Sequence, residues 1–479
     1  MVDYSDLDAA TLPEPDLAPG SSPAPASFGF VILWAPAEVG LVGAWLPVPR
    51  EPRVLGRGAA FETDTHPRVQ AVRQSPGANT LLPPFSSPAL SRVQLELSQI
   101  ETSRLWLKNV GRCKLWVNEA AVEEATVEPG DLVQVGSQLL LLCAKRVARI
   151  PGQLGRPHAF GAADEHGFVG ESPAIWQLRK ELAFASGRPG HVLIRGESGT
   201  GKELAAAAVH RASQRGGALV SRNAATFPET LIDAELFGNA KGYPNPGMPE
   251  RAGLVGAAHE GTLFLDEFAE LPVAQQTRFL RVLDAGEYQR LGEASVRHSD
   301  VRVVAATNRP LSDLRQDVAA RFSFTVNTPN LAARVEDVPL LVRHLLHVIA
   351  GEDPELRARF FRGDGEPNVS AHLLTMLVRS PLAGNVRDLR NTLWRSLAES
   401  KGNILDWPPS VAAQFQGTPR FGSEPPAPSE QPERERILEV FERNEGSLDK
   451  TWRELGLSSR FALNRLLKKH AISLRRRSS

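Results

Sequence analysis

A short glycine-rich loop constrains what this sequence can fold into more than any other feature. Gly196-Glu197-Ser198-Gly199-Thr200-Gly201-Lys202 follows the apolar run His191–Arg195 and precedes a helical pattern that begins at Glu203. A strand that turns through glycines into a helix presents backbone N–H groups and a positive helix N-terminus to anions. The loop therefore predicts a phosphate-binding site in an α/β domain, with Lys202 within reach of a nucleotide's β- and γ-phosphates.

Acidic residues complete the chemistry expected of such a site. Thr262–Leu265 has the composition of a buried strand and ends in Asp266-Glu267. Asp266 at that strand end suits Mg²⁺ binding, and Glu267 suits activation of an attacking water. Glu203 stands where such loops usually carry Ser or Thr, and its carboxylate can also help to hold Mg²⁺. These residues predict a nucleotide site that supports hydrolysis.

Apolar runs alternate with helical segments from about residue 166 to 330. This alternation predicts an α/β domain with a mainly parallel sheet. Its predicted strands are His191–Arg195, Ala218–Ser221, Thr262–Leu265 and Val301–Ala305. The periodicity over residues 331–404 is helical only, which predicts a small helical lid beside the core.

Short β-rich runs separated by turns occupy residues 27–146 and predict an all-β sandwich. Examples of these runs are Gln94–Leu97, Leu105–Leu107, Lys114–Val117, Leu132–Val135 and Leu139–Leu142. Residues 1–26 are rich in Pro, Ala, Ser and Asp, which is typical of a disordered tail. Residues 147–165 are rich in Gly and Pro and predict a linker.

Phe28–Pro49 is apolar and about long enough to cross a membrane. It contains Pro36, Glu38 and Pro47, and the tail before it is acidic, unlike the positively charged start of a signal peptide. Short buried strands are therefore predicted here, with no membrane contact. The chain has only two cysteines, which gives no sign of an oxidising compartment.

The C-terminal part of the chain carries a local basic patch. A second linker, rich in Pro, Gln and Ser, is predicted over residues 405–432, and residues 433–479 have the pattern of three short helices. The formal net charge is zero, but from Ser458 onward there are seven Lys or Arg residues and no acid. The candidate DNA contacts are Arg460, Asn464, Arg465 and Lys468. The alternative is a basic helical tail that packs or aids solubility.

The ordered series of motifs resembles the AAA+ ATPases of sigma-54-dependent, NtrC-like activators over about residues 166–400. The series consists of Gly196–Glu203, Glu235–Gly238, Thr262–Glu267 and Val301–Asn308. The resemblance implies a cytoplasmic ATPase that uses ATP and Mg²⁺ and assembles into a homo-oligomeric ring, expected to be a hexamer. It also implies promoter or enhancer DNA and the sigma-54 RNA polymerase as partners.

The resemblance assigns roles to residues around the predicted nucleotide. Gly170 begins the nucleotide-binding segment, and Asn223 corresponds to the switch asparagine that pairs with the catalytic Glu267. Asn308 corresponds to sensor I and Arg387 to sensor II. Glu203 is the residue that this family usually carries after the loop lysine.

Two further arginines, Arg315 and Arg321, resemble the arginine fingers of the family. Charge on the transferring phosphoryl group needs cations beyond Lys202 and Mg²⁺. Fingers that reach in from a neighbouring subunit supply this charge and make assembly a condition for turnover.

One loop departs from the family pattern. Members carry a surface loop, GAFTGA, whose Phe and Thr contact the sigma factor, whereas this chain has Gly242-Tyr243-Pro244-Asn245-Pro246-Gly247. Pro244 replaces the Phe and Asn245 the Thr, and two prolines should stiffen the loop. The output therefore stays open between a variant loop that still remodels the sigma-54 polymerase and regulation without sigma-54.

Three segments of the N-terminal region resemble a forkhead-associated domain, a β-sandwich whose loops bind phosphothreonine peptides. These segments are Val54–Gly58, Leu90–Arg92 and Leu105–Asn118. The resemblance makes Arg57, Ser91 and Arg92 the candidate phosphate contacts, because an arginine can form forked hydrogen bonds to phosphate.

The forkhead-associated pattern is incomplete. Gln94 stands where that family has a structural His, and Cys113-Lys114 lies near the place of its Asn-Gly signature. Two alternatives follow for this region: it binds a phosphothreonine protein, or it is a degenerate sandwich that serves assembly or regulation.

The helix spacing in the C-terminal segment resembles the Fis-type helix-turn-helix that closes many sigma-54 activators. The whole chain is then predicted to be an ATP-dependent, DNA-binding transcription regulator. The rival from another class is a non-enzymatic DNA-binding adaptor whose nucleotide site is only an assembly switch. Glu267, Arg315 and Arg321 argue against that rival, because binding alone does not need them.

Overall fold

A computed structural model describes residues 26–59, 66–101, 104–152, 158–351 and 353–414, with Val440 and Arg443. The chain divides into two compact units, residues 1–416 and 417–479. The predicted DNA-contacting residues Arg460, Asn464, Arg465 and Lys468 lie outside the described residues, as does the predicted disordered tail up to residue 25.

Two antiparallel sheets form the N-terminal region, so the prediction of a β-rich fold is confirmed. The larger sheet contains Ala26–Trp34, Trp45–Pro47, Val72–Ser75, Ala78–Leu81, Leu115–Val117, Ala120–Val122, Leu132–Val135 and Leu139–Val147. The smaller sheet contains Arg53–Leu55, Leu95–Glu101, Arg104–Asn109 and Glu124–Val127. Apolar side chains from both sheets meet in one core, among them Phe30, Ile32, Leu97 and Leu107.

The strand Ala26–Trp34 explains the membrane-like composition of this part of the sequence. Successive side chains of a strand point to opposite faces. Phe30 and Ile32 face the core of the sandwich, whereas Val31 and Leu33 pack against a second core beneath the helical lid. From Phe28 to Trp34 the strand has no polar side chain, because both of its faces are buried. Among the described residues, no helix is long and apolar enough to cross a membrane.

The middle of the chain is an α/β layer around a parallel sheet, as the alternation predicted. The strand order is Leu219–Asn223, Thr262–Asp266, Arg302–Thr307, Val192–Arg195 and Phe324–Asn327. The α-helices around it are Pro173–Ser186, Lys202–Ala212, Ile232–Phe237, Gly253–Ala257, Val273–Ala285 and Gln316–Ala319. Central strands such as Arg302–Thr307 are buried on both sides, as parallel strands usually are.

The structure differs from the sequence expectation at two places in this layer. Phe324–Asn327 is a strand that the sequence analysis missed, since half of its residues are polar and only four are involved. Glu287–Tyr288 and Arg297–His298 form a separate two-stranded hairpin, also not predicted. Two-residue strands are too short to show a periodic pattern.

A helical lid follows the sheet. After the 3₁₀ segment Leu331–Asp337, its helices are Val338–Ala350, Pro354–Phe360, Ala371–Arg379, Asn385–Glu399 and Pro409–Gln414. The last helix corrects the predicted start of the second linker at residue 405. Leu405, Trp407 and Val411 are buried in the lid core, so the chain stays packed to at least this helix.

The sandwich and the lid share one hydrophobic core. Val31, Trp45 and Leu140 of the larger sheet belong to the same buried cluster as Leu340 and Leu374 of the lid. The indole Nε1 of Trp34 donates to the carbonyl oxygen of Val369 at 3.0 Å. The two regions are therefore packed together and are not joined only by a linker.

Candidate nucleotide site

The glycine-rich loop lies at the carboxyl end of Val192–Arg195, where the parallel strands meet at one edge. Gly199 and Gly201 have φ of 77° and 100°, a region that disfavours side chains. A Cβ on Gly199 would also lie 2.2 Å from the carbonyl oxygen of Gly384. The helix begins at Lys202, one residue before the predicted start at Glu203.

Lys202 is buried, and its ammonium group lies against the backbone of this loop. Its Nζ lies 3.1 Å from the carbonyl oxygen of Gly196 and 3.4 Å from that of Glu197. It also lies 3.6 Å from Oε1 of Glu267. The predicted phosphate-binding cation and the predicted catalytic carboxylate are thus brought together.

Asp266 ends the neighbouring strand and has the properties of a metal ligand. Burial raises the pKa of its carboxyl above the ordinary value, while the nearby Lys202 ammonium opposes that rise. Its Oδ1 is buried and has no hydrogen-bond partner. An unpaired buried carboxylate oxygen is unfavourable unless a cation meets it. The position therefore fits Mg²⁺, and Glu203 on the adjacent helix lines the same pocket.

The two predicted asparagines lie at the same edge but make different contacts from those expected. Asn223 is the register partner of Asp266 on the adjoining strand. Its Oδ1 accepts from the backbone N–H of Ala225 at 2.9 Å, so it caps a short 3₁₀ turn where pairing with Glu267 was expected. The backbone N–H of Asn308 donates to Oε2 of Glu267 at 3.4 Å, and Asn308 itself is exposed.

The lid closes the pocket from the other side. Nη1 of Arg387 donates to Oγ of Ser198 at 2.8 Å. Nδ2 of Asn385 donates to a carboxylate oxygen of Glu197 at 3.0 Å. Hydrogen bonds from Asn330 and Asn385 lower the pKa of Glu197 below its ordinary value. The glycine-rich loop is therefore held by side chains about 190 residues away in sequence.

Gly170 is required by close packing against the start of the lid. Its φ is 139°, and a Cβ there would lie 2.5 Å from Oδ2 of Asp337. Oδ1 of Asp337 accepts from the backbone N–H groups of Glu171 and Ser172 at 2.7 and 3.0 Å. Ser172 in turn caps the helix that begins at Pro173.

Three ionisable residues of the pocket were not predicted from the sequence. Arg334, His344 and Arg390 line the pocket with the predicted residues. Nη1 of Arg334 lies 3.4 Å from the carbonyl oxygen of Val169, and burial lowers the pKa of this arginine. We call the carboxyl edge of the parallel sheet that carries Lys202, Asp266 and Glu267 the nucleotide edge. The sequence offers only a helical period here, and this period does not show which face of a lid helix meets the nucleotide edge.

The candidate arginine fingers lie outside this chain's own pocket. Arg315 forms a forked ion pair with Asp317, with contacts of 2.6 and 3.0 Å, and Arg321 pairs with Asp284. Their side chains are 39% and 47% exposed. Both are therefore accessible to a second copy, and each must leave a carboxylate to act there.

The variant loop Gly242–Gly247 is folded back on its own base. A Cβ on Gly292 would lie 2.5 Å from Cγ of Tyr243, so the tyrosine ring lies directly over that glycine. Nδ2 of the buried Asn239 lies 3.0–3.2 Å from the carbonyl oxygens of Ala240, Tyr243 and Pro249. One side chain therefore connects both ends of the loop.

The candidate phosphopeptide residues of the sandwich lie on adjoining loops. The backbone N–H of Arg57 donates to the carbonyl oxygen of Ser91 at 2.9 Å, and Nη1 of Arg68 donates to the carbonyl oxygens of Arg57 and Arg92 at 3.1 and 2.6 Å. Gln94 is fully buried and ties Ser91 to the loop at Cys113.

Sequence comparison places the core among known proteins. The Sigma-54 interaction domain family matches residues 168–325. The chain is 33% identical to the transcriptional regulatory protein ZraR of Escherichia coli over 315 residues, 64% of this chain and 69% of that protein. It is 35% identical over 57% of its length to the anaerobic nitric oxide reductase transcription regulator NorR of Aeromonas hydrophila, of which it spans about half, 53%.

The chain is also similar to proteins of known structure. The crystal structure of NtrX from Brucella abortus in complex with ATP has 30% sequence identity and a TM-score of 0.45, and the match covers 65% of this chain and 70% of that one.

Proposed function

Because this chain belongs to the sigma-54-interacting, NtrC-like AAA+ regulators, whose sigma-54 interaction domain matches residues 168–325, we propose that it hydrolyses ATP to regulate transcription. One observation carries the proposal. Lys202, Asp266, Glu267 and the lid residue Arg387 line a single pocket at the carboxyl edge of the parallel sheet. This combination of cation, metal ligand, base and lid contact is the set that phosphoryl transfer to water needs.

The residues of the pocket divide the work between them. Backbone N–H groups of the glycine-rich loop bind phosphate oxygens, and Lys202 exchanges its carbonyl contacts for the β- and γ-phosphates. Asp266 and Glu203 would hold Mg²⁺, which would supply further positive charge. Glu267 accepts the proton of the attacking water, and Asn308 keeps that carboxylate in place through its backbone N–H.

Hydrolysis in this proposal requires a second copy of the chain. Arg315 and Arg321 are exposed and lie away from their own pocket, whereas the transferring phosphoryl group needs additional positive charge. A ring in which each subunit inserts these arginines into its neighbour's site satisfies both facts. Pairing of Asn223 with Glu267, as the family resemblance implies, would require Asn223 to leave the turn that it caps.

The output of the ring has two candidates. In the first, the loop Gly242–Gly247 contacts the sigma-54 polymerase as a variant of the family loop. In the second, the protein regulates transcription without sigma-54, as a DNA-binding regulator or as an adaptor that uses ATP as an assembly switch. Tyr243, folded onto Gly292, and two prolines favour the second.

In this proposal the sandwich recognises the regulatory signal and the C-terminal segment binds the target DNA. Arg57, Ser91 and Arg92 lie on neighbouring loops, which supports binding of a phosphothreonine protein there. Gln94 is buried and connects two of these loops, at the position where the forkhead-associated family has a structural histidine. The seven basic residues from Ser458 onward support DNA binding by the C-terminal segment.

A purified transcription assay with the full chain tests the proposal. We compare the native protein with Glu267→Gln, with sigma-54 polymerase, ATP and promoter DNA present. Transcription that rises with ATP and is lost in the variant supports the sigma-54 output. ATP hydrolysis without binding or opening by that polymerase supports the second candidate. If the native protein does not hydrolyse ATP at any concentration, the proposed ATPase activity is refuted, and only the adaptor that uses ATP as an assembly switch remains.

A further inference from the structure

Two arginines of the sandwich, one buried and one half-buried, contact residues that lie close in sequence to the lining of the nucleotide pocket. Arg146, on the strand Leu139–Val147, places Nη2 3.0 Å from Oε1 and Nε 3.2 Å from Oε2 of Glu336. Its side chain is 3% exposed and that of Glu336 is 12% exposed. Nη1 of Arg146 also donates to Oε1 of Gln74 at 3.4 Å. A forked ion pair removed from solvent fixes the relative position of its partners more firmly than a surface pair.

Glu336 is the neighbour of the residue that holds the nucleotide-binding segment. Asp337 accepts from the backbone N–H groups of Glu171 and Ser172 and from Oγ of Ser172 at 2.6 Å. The same turn contributes Arg334, which contacts the carbonyl oxygen of Val169. Any displacement of Glu336 therefore moves the contacts that shape this side of the pocket.

The second arginine contacts the same segment from its other side. Nη2 of Arg73, on the strand Val72–Ser75, lies 3.6 Å from Oε1 of Glu171. That carboxylate, 2% exposed, also accepts from the backbone N–H of Gly161 at 2.9 Å and lies 3.5 Å from Nε2 of His158. The sandwich thus reaches Glu171 and Glu336, one on each of the two segments that meet at Gly170.

The lid helix Val338–Ala350 carries the effect into the pocket. It starts directly after Asp337, and its residues Leu341, His344 and Leu345 line the nucleotide site. On the same helix, Leu340 packs against Gly43 of the sandwich, whose Cβ would approach its Cδ1 to 2.9 Å. One rigid helix is therefore in contact with both the sandwich and the nucleotide site.

We propose that Arg146 and Arg73 are positioning residues for the nucleotide, which act through Glu336 and Glu171 to hold the wall formed by Val169–Ser172 and the start of the lid. The sandwich is then part of the ATP-binding unit and sets nucleotide affinity, while the chemistry stays with Glu267. This inference rests on the proposed function, since it requires that the pocket bind ATP.

The interface offers a matched control at a distance from the pocket. Nη1 of Arg379, on the lid helix Ala371–Arg379, lies 3.2 Å from Oε1 of Glu119, and Nη2 donates to Oδ1 of Asn118 at 2.9 Å. Like Arg146, it joins the sandwich to the lid by an ion pair, with its side chain 11% exposed. Neither Arg379 nor Glu119 lines the nucleotide pocket.

The test compares the full-length variants Arg146→Gln, Arg73→Gln and Arg379→Gln by titration with a fluorescent ATP analogue and by steady-state hydrolysis. We expect both Arg146→Gln and Arg73→Gln to raise Kd and KM about tenfold, with kcat within about twofold of the native value. Arg379→Gln should leave Kd unchanged even where it lowers the melting temperature. Amide exchange at Glu171 and Ser172 should accelerate only in the first two variants.

Each outcome separates the possible failures. If all three variants lose stability and retain the native Kd, the arginines only join the two regions and the inference is overturned. If the native protein does not bind the analogue, the proposed function fails first. Arg146→Gln could leave Glu336 buried and unpaired, so that the variant does not fold. In that case the same titration is made with the double variant Arg146→Met with Glu336→Gln, which removes both charges. Arg73→Gln provides a second test, because the side chain of Arg73 is more exposed.

Discussion

The nucleotide edge and the loop Gly242–Gly247 show two ways in which a sequence places functional side chains. At the edge, Asn223 and Asp266 end two adjacent parallel strands in register, and the loop that carries Lys202 follows another strand of the same sheet, two places away from that of Asp266. In the loop, the position of Tyr243 depends on Gly292 and Asn239, which belong to other segments. The geometry of a motif that directly follows a strand of the sheet can therefore be predicted from the sequence. The geometry of the loop Gly242–Gly247 cannot, because distant segments determine it.

The largest expected effect tests whether one chain supplies all the residues that ATP hydrolysis at the nucleotide edge requires. Arg315→Ala should lower ATP hydrolysis by about 10³-fold, because a missing finger leaves charge on the transferring phosphoryl group unbalanced. Steady-state ATPase measurements at several protein concentrations provide the test. Arg297→Ala is the matched control, since Arg297 is equally exposed at 39% and is paired with Glu293, and it should keep native activity.

Mixed subunits sharpen this prediction. Arg315→Ala protein mixed with Glu267→Gln protein contains interfaces in which one subunit supplies an intact pocket and the other an intact finger. Activity should therefore reappear on mixing, although each variant alone is inactive. Failure to recover activity would place Arg315 in its own subunit's site and contradict the ring.

The next effect concerns the base of the loop. Asn239→Ala leaves three part-buried carbonyl oxygens at the base of the loop without their donor and should lower the free energy of unfolding by about 1 kcal/mol or more. ATP hydrolysis should stay at the native rate, because these contacts lie outside the nucleotide edge. Urea denaturation gives the stability, and Asn239→Asp, which keeps the size but loses the donors, should be destabilised as well. If Asn239→Asp has the native free energy of unfolding, then packing and not hydrogen bonding holds the loop in place.

A smaller effect isolates the ring contact of Tyr243. Gly292→Ala should lower the free energy of unfolding by about 1 kcal/mol or more, from its positive φ and its collision with the tyrosine ring. Gly247→Ala has a comparable φ of 92° but no atom within 4 Å of its Cβ. The difference between the two variants in thermal melts measures the ring contact. Equal melting temperatures would show that the ring moves away freely.

The smallest effect is a pH dependence confined to the edge. Since burial raises the pKa of Asp266, a proton competes with Mg²⁺ at a higher pH than for an ordinary Asp. As pH falls through that raised pKa, the Mg²⁺ concentration for half-maximal hydrolysis should rise a few-fold. Mg²⁺ titrations at decreasing pH measure this shift. Gly247→Ala should show the native profile, and a pH-independent Mg²⁺ requirement would exclude Asp266 as the ligand.

The parts of the fold that the sequence predicted are those with a periodic pattern or a strand-end motif. The sequence predicts the bounds of Leu132–Val135 to the residue, and its strand-end motifs predict that Lys202, Asp266 and Glu267 share one site. The four-residue strand Phe324–Asn327 was missed because half of it is polar. Its place beside Val192–Arg195 depends on tertiary contacts.

The contacts between distant segments could not be predicted. Nothing in the local sequence of Glu336 indicates that it meets Arg146, about 190 residues away. Arg334 lines the pocket because the chain leaves the helical region at that residue, with φ of −142°, and a helical period gives no sign of this. Side chains that join separate elements are fixed by packing, which local pattern does not encode.

The side chain of Leu340 sets a limit on how this architecture can be recombined. Its methyl groups lie 2.9 Å from where a Cβ would stand on Gly43, in the sandwich, and on Gly161, in the segment that follows it. A side chain at either glycine would displace Leu340 and would strain a backbone of positive φ, which couples three distant positions. A chimera that attaches this N-terminal region to the ring of a relative should therefore be more stable if it also transfers the matching lid helix. The unit of exchange in evolution or design is therefore larger than the domain that the sequence outlines.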